Sequence, residues 1–255
     1  MPFGSIFSKL KYIDLVTADE VHIRIKNNFV SRLAFKIIGL PHIGLRLRAR
    51  KIIHNFTDCQ RMLDAGCGTG IYSFSLSKRA KEINAVDISQ DKINHANDIN
   101  IFPNIKFNRG DITNLVFPDN YFDTIICSDV LEHIKDDKIA FSQLARILKP
   151  RGRLLLTIPS NSENNKNTYR KFGHERAGYT KDEISRLAKQ NSMIVEKAEG
   201  YSSSPTEKFS SFSYKFLSNK PLLGVLFYPL YILSIISDML FREHYSGYFF
   251  LIRKN

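Results

Sequence analysis

The chain has 255 residues, 43% hydrophobic and 24% charged, a balance that suits one globular α/β core with additions rather than a disordered or fibrous protein. A net charge of +12 points to an anionic surface or ligand, either nucleic acid or an acidic membrane face. The three cysteines, without CxxC pairing or zinc-finger spacing, argue against a disulfide framework or structural zinc and fit a reducing, cytoplasmic setting.

In chain order, residues 1–10 lack the apolar core of a signal peptide. Phe29, Val30, Leu33, Ala34, Ile37 and Ile38 then recur at helical spacing. No acid occurs from Val21 to Thr57, while Arg24, Lys26, Arg32, Lys36, Arg46, Arg48, Arg50 and Lys51 are basic. Residues 1–58 therefore read as a basic helical extension.

From residue 59, strand and helix patterns alternate, which predicts an α/β sheet with crossover helices. Strands are expected at 61–65, 83–87, 105–108, 122–127, 153–158, 193–199 and 247–252, and helices at 71–81, 90–100, 136–148 and 181–191. Thr180 and Glu183 have capping-box spacing, and Pro150-Arg151-Gly152 is turn chemistry. Polar runs at 161–167 and 202–204 read as loops. The core is expected over 59–200 with its final strand at 246–255, and 201–245 is too long for a plain connection.

The segment LDAGCGTG at 63–70 ends a strand and opens a helix. Glycines there permit a tight turn and close approach of backbone to a ligand. A dinucleotide site is the alternative, but its GxGxxG fingerprint is not met, because the third glycine falls one residue early, at Gly70. Asp87, closing the next strand, stands where a carboxylate accepts from both hydroxyls of a ribose diol. Asp111, after Gly110, stands where it accepts from an exocyclic amine. Three acids at the carboxyl ends of consecutive strands fall on the edge where open α/β sheets bind ligands.

LDAGCGTG at 63–70, VDIS at 86–89, GDIT at 110–113, FDTIICSDVLEHI at 122–134 and LARILKPRGRLLLTIP at 144–159 together resemble the class I S-adenosylmethionine (SAM) dependent methyltransferases of the type 11 group. The resemblance covers roughly residues 60–200. It implies a Rossmann-like, seven-stranded, mostly parallel sheet of order 3-2-1-4-5-7-6, with helices on both faces and an antiparallel last strand. It also implies SAM as cofactor and S-adenosylhomocysteine as product. Asp64 and the run Gly66, Cys67, Gly68, Gly70 would surround the methionine moiety, Asp87 the ribose, Asp111 the adenine amine, and Ser128 would line the cofactor. Ala65, Ile88, Gly110 and Ile112 share those turns.

An (N/D)PP(Y/F) turn, found in methyltransferases of exocyclic base amines, is missing after the fourth strand, which speaks against nucleic acid as partner. His174 is the candidate general base and His133 a second candidate or a packing residue; a base here need only remove a proton. No metal is expected.

Residues 221–237 carry no charge and are rich in leucine and isoleucine, near the ~17-residue lower limit of a spanning helix. A single span would separate the last strand from its sheet. The segment therefore reads as an in-plane membrane contact broken at Pro229, or as a lid or dimer helix. The leading expectation is a methyltransferase peripheral to the inner face of a membrane, acting on a lipid, quinone-like or lipid-linked glycan acceptor. Its rivals are a soluble methyltransferase of a small molecule or sugar, and a non-catalytic binding or assembly factor of the same fold.

Overall fold

The structure, a computed structural model, describes residues 43–162, 166, 169–203 and 245–255. The chain divides into two compact units, Met1–Lys51 with Tyr201–Tyr245, and Ile52–Gly200 with Ser246–Asn255. Most of the first lies outside the described residues, including the apolar 221–241 segment and the helical stripe at 29–38. The helix α1 (Ile43–Asn55) runs into the second unit, which carries the sheet.

The strands are β1 (Cys59–Ala65), β2 (Ala80–Asp87), β3 (Ile105–Arg109), β4 (Phe122–Ser128), β5 (Leu148–Pro159), β6 (Met193–Ser203) and β7 (Tyr245–Lys254). They form one sheet of order β3-β2-β1-β4-β5-β7-β6. The first five run parallel and β7 is antiparallel to β5, as the resemblance implies. Met62, Leu63, Ile125, Ile126, Leu154, Leu155 and Leu156 are fully buried, the continuous apolar runs of parallel strands covered on both faces.

Helix α2 (Ile71–Ser75) is far shorter than the expected 71–81. Leu76 leaves helical geometry, and Ala80 pairs with Cys59, so β2 starts three residues before the apolar run at Ile83. Helix α3 (Gln90–Ile99) begins at Ser89, whose hydroxyl accepts from the Lys92 amide. Helix α4 (Asp137–Ile147) buries Ala140, Phe141, Leu144 and Ala145 at i, i+4 spacing. Helix α5 (Lys181–Gln190) has the full Thr180–Glu183 capping box.

The Pro150-Arg151-Gly152 turn survives as a kink inside β5. Arg151 has φ +63°, and the register jumps from Phe122↔Leu148 to Thr124↔Arg153. Because β1 pairs with β2 on one side and β4 on the other, the strand order reverses beside β1. The carboxyl ends of β1 and β4 open a crevice there.

Candidate functional site

The glycine turn leaves β1 at this crevice. Gly66 and Cys67 both donate their amides to the Val86 carbonyl, at 2.8 and 2.9 Å. Gly66, Gly68 and Gly70 all have left-handed φ, +75°, +56° and +93°, which side chains disfavour. Their surroundings differ. A Cβ on Gly66 would come within 2.3 Å of Val130, and one on Gly70 within 2.7 Å of Phe107, whereas one on Gly68 would meet nothing within 4 Å. Gly66 and Gly70 let the turn pack; Gly68 presents bare backbone to open space.

Two buried carboxylates hold this turn from below. Asp87 Oδ2 accepts the Gly68 amide at 2.8 Å, and its Oδ1 accepts the Ser89 amide at 2.9 Å. The group expected at the ribose thus also ties the glycine turn to the start of α3. Asp64 Oδ2 accepts from the Ser73 amide (3.1 Å) and hydroxyl (2.7 Å), bracing α2 under the turn. Burial pushes the Asp64 carboxyl up to about 6 against those two bonds, with the Asp87 charge adding a smaller push. Ala65 is wholly buried, and the Cys67 thiol is pushed up by burial and by the Asp64 and Asp87 charges, so it is no nucleophile at neutral pH.

Next to Asp87, the apolar side chain of Ile88 is 68% exposed. The Gly110 amide donates to the Asp87 carbonyl at 3.0 Å, which brings the β3 turn alongside. Asp111 caps a short 3-10 turn, its Oδ1 accepting from the Thr113 amide and hydroxyl, both at 2.8 Å. It is both the cap of that turn and an exposed carboxylate on the crevice edge. Ile112 packs in the hydrophobic core, so any cofactor contact by it falls to its backbone.

At the end of β4, Ser128 Oγ lies 3.1 Å from the Tyr72 hydroxyl and 2.8 Å from Thr157 Oγ1. Thr157 donates to Asp129 Oδ1 at 3.0 Å, and Asp129 has φ +51°. This row of hydroxyls and one acid joins α2, β4 and β5 along the crevice. Tyr72, Asp129 and Thr157 were not singled out in the sequence, because each becomes a neighbour of Ser128 only through strand pairing.

Beyond Asp129 the chain makes the 3-10 turn Leu131–His133. There it meets the segment after β5. Glu175 donates its amide to the Glu132 carbonyl at 2.8 Å, and His133 Nδ1 lies 3.0 Å from the Gly173 carbonyl. The His133 and His174 rings pack edge to face, centroids 4.5 Å apart. The two histidines, distant in sequence, thus form one pair. Burial pulls His174 down to about 4, with a smaller contribution from His133, so at pH 7 it is a neutral imidazole and a weak base. The segment bearing His174 is clamped by Arg176, which donates to Asp137 Oδ2 (3.0 Å), Glu183 Oε1 (2.6 Å) and the Gly178 carbonyl (3.0 Å). Its guanidinium also stacks 3.8 Å from the centre of the Tyr179 ring. Glu132, not considered in the sequence, is 1% exposed. The adjacent Glu132-His133 pair with a later histidine was its only signal.

These surroundings fit a nucleoside cofactor: bare backbone at Gly68 for close approach, a fixed carboxylate at Asp87, an exposed apolar side chain at Ile88 and an exposed acceptor at Asp111.

Residues 63–156 match the family profile described as a methyltransferase domain. Over 102 residues, 38% of this chain, it is 33% identical to the ubiquinone biosynthesis O-methyltransferase of Coxiella burnetii, covering 43% of that protein. Over 104 residues, also 38% of the chain, it is 36% identical to the ubiquinone/menaquinone biosynthesis C-methyltransferase of Vibrio cholerae, covering 40% of that protein. The chain thus spans less than half the length of these curated relatives. Among solved structures, Haemonchus contortus phosphoethanolamine N-methyltransferase 2 in complex with S-adenosyl-L-methionine aligns with a TM-score of 0.59 at 20% identity, over 92% of this chain and 59% of the other. At that identity the likeness is one of fold.

Proposed function

Because residues 63–156 are a methyltransferase domain of the type 11 group of class I SAM-dependent methyltransferases, we propose that this chain methylates a lipid, quinone-like or lipid-linked glycan acceptor at a membrane surface. The observation that carries the methyl-transfer half is the crevice where Gly68, Asp87, Ile88, Asp111 and Ser128 converge on the carboxyl edge of the sheet. SAM supplies, when bound, an electrophilic methyl group on a sulfonium. Asp87 and Asp111 hold the nucleoside, while the turn from Gly66 to Gly70 and Ser128 orient the methionine end.

The chain's own contribution to rate is chiefly positioning: holding an acceptor atom in line behind the methyl group is worth about 7–11 kcal/mol in favourable cases. His133 and His174 stand on the segments that follow β4 and β5, the side from which an acceptor would enter. With His174 held near 4, proton removal by that ring alone is a small term.

Sequence supports the membrane half. The uncharged stretch at 221–237 lies between β6 and β7, and β7 enters the sheet with Gly247 opposite Pro159, the last residue of β5. The start of β7 therefore lies beside the carboxyl end of β5. The similarity to two methyltransferases of quinone biosynthesis agrees with an apolar acceptor. Among the described residues no helix is long and apolar enough to cross a membrane. The contact proposed is peripheral because a single span between β6 and β7 would separate the last strand from its sheet, and basic residues strengthen it by roughly 1 kcal/mol each at an anionic surface.

The test combines flotation with anionic liposomes and mass spectrometry of lipid extracts incubated with methyl-labelled SAM. Label entering a lipid-soluble product, together with flotation that Leu226→Glu/Leu233→Glu abolishes, is the expected result. Label confined to water-soluble metabolites, with the protein staying in solution, would move the function to a soluble small-molecule methyltransferase.

A further inference from the structure

Glu132, His133 and His174 each offer one ligand atom, and these atoms lie within 4.8 Å of one another. Donors around a cation bound at about 2.0–2.2 Å stand about 3–4 Å apart, so the three close on an ion with shifts of an ångström or less. We propose that they form a site for a divalent transition-metal cation of the zinc class, open on the acceptor side, where a hydroxyl oxygen of the acceptor completes the coordination.

Several features favour a built site over a chance meeting of side chains. The Gly173 carbonyl can only accept, so His133 Nδ1 at 3.0 Å must carry the proton, which leaves Nε2 as the lone-pair nitrogen. A metal-bound histidine typically donates its other ring N–H to a backbone carbonyl in this way. The His174 ring packs edge to face on that of His133, centroids 4.5 Å apart, which brings the second imidazole to the same point. The two ligand-bearing segments are tied together at the site by the Glu175 and Arg176 amides, which donate to the Glu132 carbonyl at 2.8 and 3.4 Å. On the far side the Arg176 clamp to Asp137 and Glu183 fixes the loop. Gly178, at φ +146°, is obligatory in that loop: a Cβ would meet the Ser160 carbonyl oxygen at 2.5 Å.

The donor set selects the ion. Two imidazoles and one carboxylate suit zinc and its first-row neighbours, whereas magnesium and calcium prefer all-oxygen shells. Three protein ligands leave positions open, the pattern of a catalytic rather than a structural metal. The burial gradient agrees: Glu132 is buried, His174 half-buried and His133 exposed, so the open positions face solvent.

The acceptor half of this proposal rests on the methyl-transfer reading above. A hydroxyl bound to the cation loses its proton to water more readily than a free one. Its oxygen then forms the new O–CH₃ bond as the S–CH₃ bond breaks, leaving a methyl ether and S-adenosylhomocysteine. This role specifies an oxygen acceptor.

The test is titration of Co²⁺ into the full chelator-treated chain, followed by calorimetry and by visible absorption, with S-adenosylhomocysteine thermal shifts measured in parallel. The wild type should bind one Co²⁺ with a ligand-field spectrum. His174→Ala and Glu132→Gln should each weaken binding by more than the 10–100-fold typical of losing an outer-shell partner, while keeping the S-adenosylhomocysteine shift that reports an intact fold. Absence of stoichiometric Co²⁺ binding to the wild type, or binding unchanged in His174→Ala, overturns the site whatever the enzyme's activity. Stoichiometric Co²⁺ binding without any S-adenosylhomocysteine shift would instead uphold the metal site and remove the methyl-transfer reading.

Discussion

Gly66 and Gly68 share a turn and a left-handed backbone, yet alanine at each should fail in a different way. At Gly68 the new methyl group has open space, so the folded apoprotein bears only the left-handed penalty, about 1–2 kcal/mol. At Gly66 the same penalty is joined by a collision with Val130 at 2.3 Å, and overpacking adds about 1–3 kcal/mol. Gly66→Ala should therefore be the less stable variant by roughly the overpacking alone. Ligand responses should fall in the opposite order. Saturation at a hundred times the dissociation constant adds about 2.7 kcal/mol. For a chain of this size that is a rise of roughly 5–11 °C in Tm, at about 2–4 °C per kcal/mol. Gly68→Ala should lose most of that rise, because its methyl group occupies the space the cofactor needs. Denaturant melts of both apoproteins, with thermal scans with and without S-adenosylhomocysteine, separate the two effects. A full ligand shift in Gly68→Ala would refute the assignment of its open side to the cofactor.

Two further outcomes concern Asp64 beneath this turn and Arg176 in the His174 segment. The Asp64 carboxyl is raised in the folded state, so the fold binds more protons than the unfolded chain between about pH 4 and 6; stability present below that window is lost as pH rises through it, by about 3 kcal/mol in all. Asp64→Asn should flatten that part of the stability–pH curve, and parallel curves for the two proteins would show that the carboxyl is not raised. Arg176→Met should cost about 2 kcal/mol by releasing its charged hydrogen bonds and speed hydrogen exchange at the Glu175 amide; unchanged exchange there would mean the clamp does not hold the His174 segment.

The strands and the glycine turn were legible because parallel strands buried on both faces and the spacing of glycines both leave local marks in sequence, whereas the sheet order came only with the family resemblance. The failures have physical causes too. The polar stretch after Ile71 looks helical, but Ser73 is engaged by Asp64 and β2 claims Ala80 for pairing with Cys59, so α2 stops at Ser75. Ile112 shares a turn with Asp111 but faces the core, a distinction set by the 3-10 turn between them. Glu132 was invisible as a partner of His174 because about forty residues separate them, and only the packing of two strand-end segments makes them neighbours.

The position of β7 between β5 and β6 has a consequence for biogenesis. Met193–Ser203 reaches the sheet only through Tyr245–Lys254, which lies beyond the 204–244 segment. While the chain is emerging from the ribosome, the first five strands can pair, but β5 presents an open edge and β6 has no strand to join. Both are surfaces on which stray strands add. The last ten or so residues of the sheet therefore act as a closing wedge, and the nascent protein is most vulnerable to mispairing in the interval before they arrive.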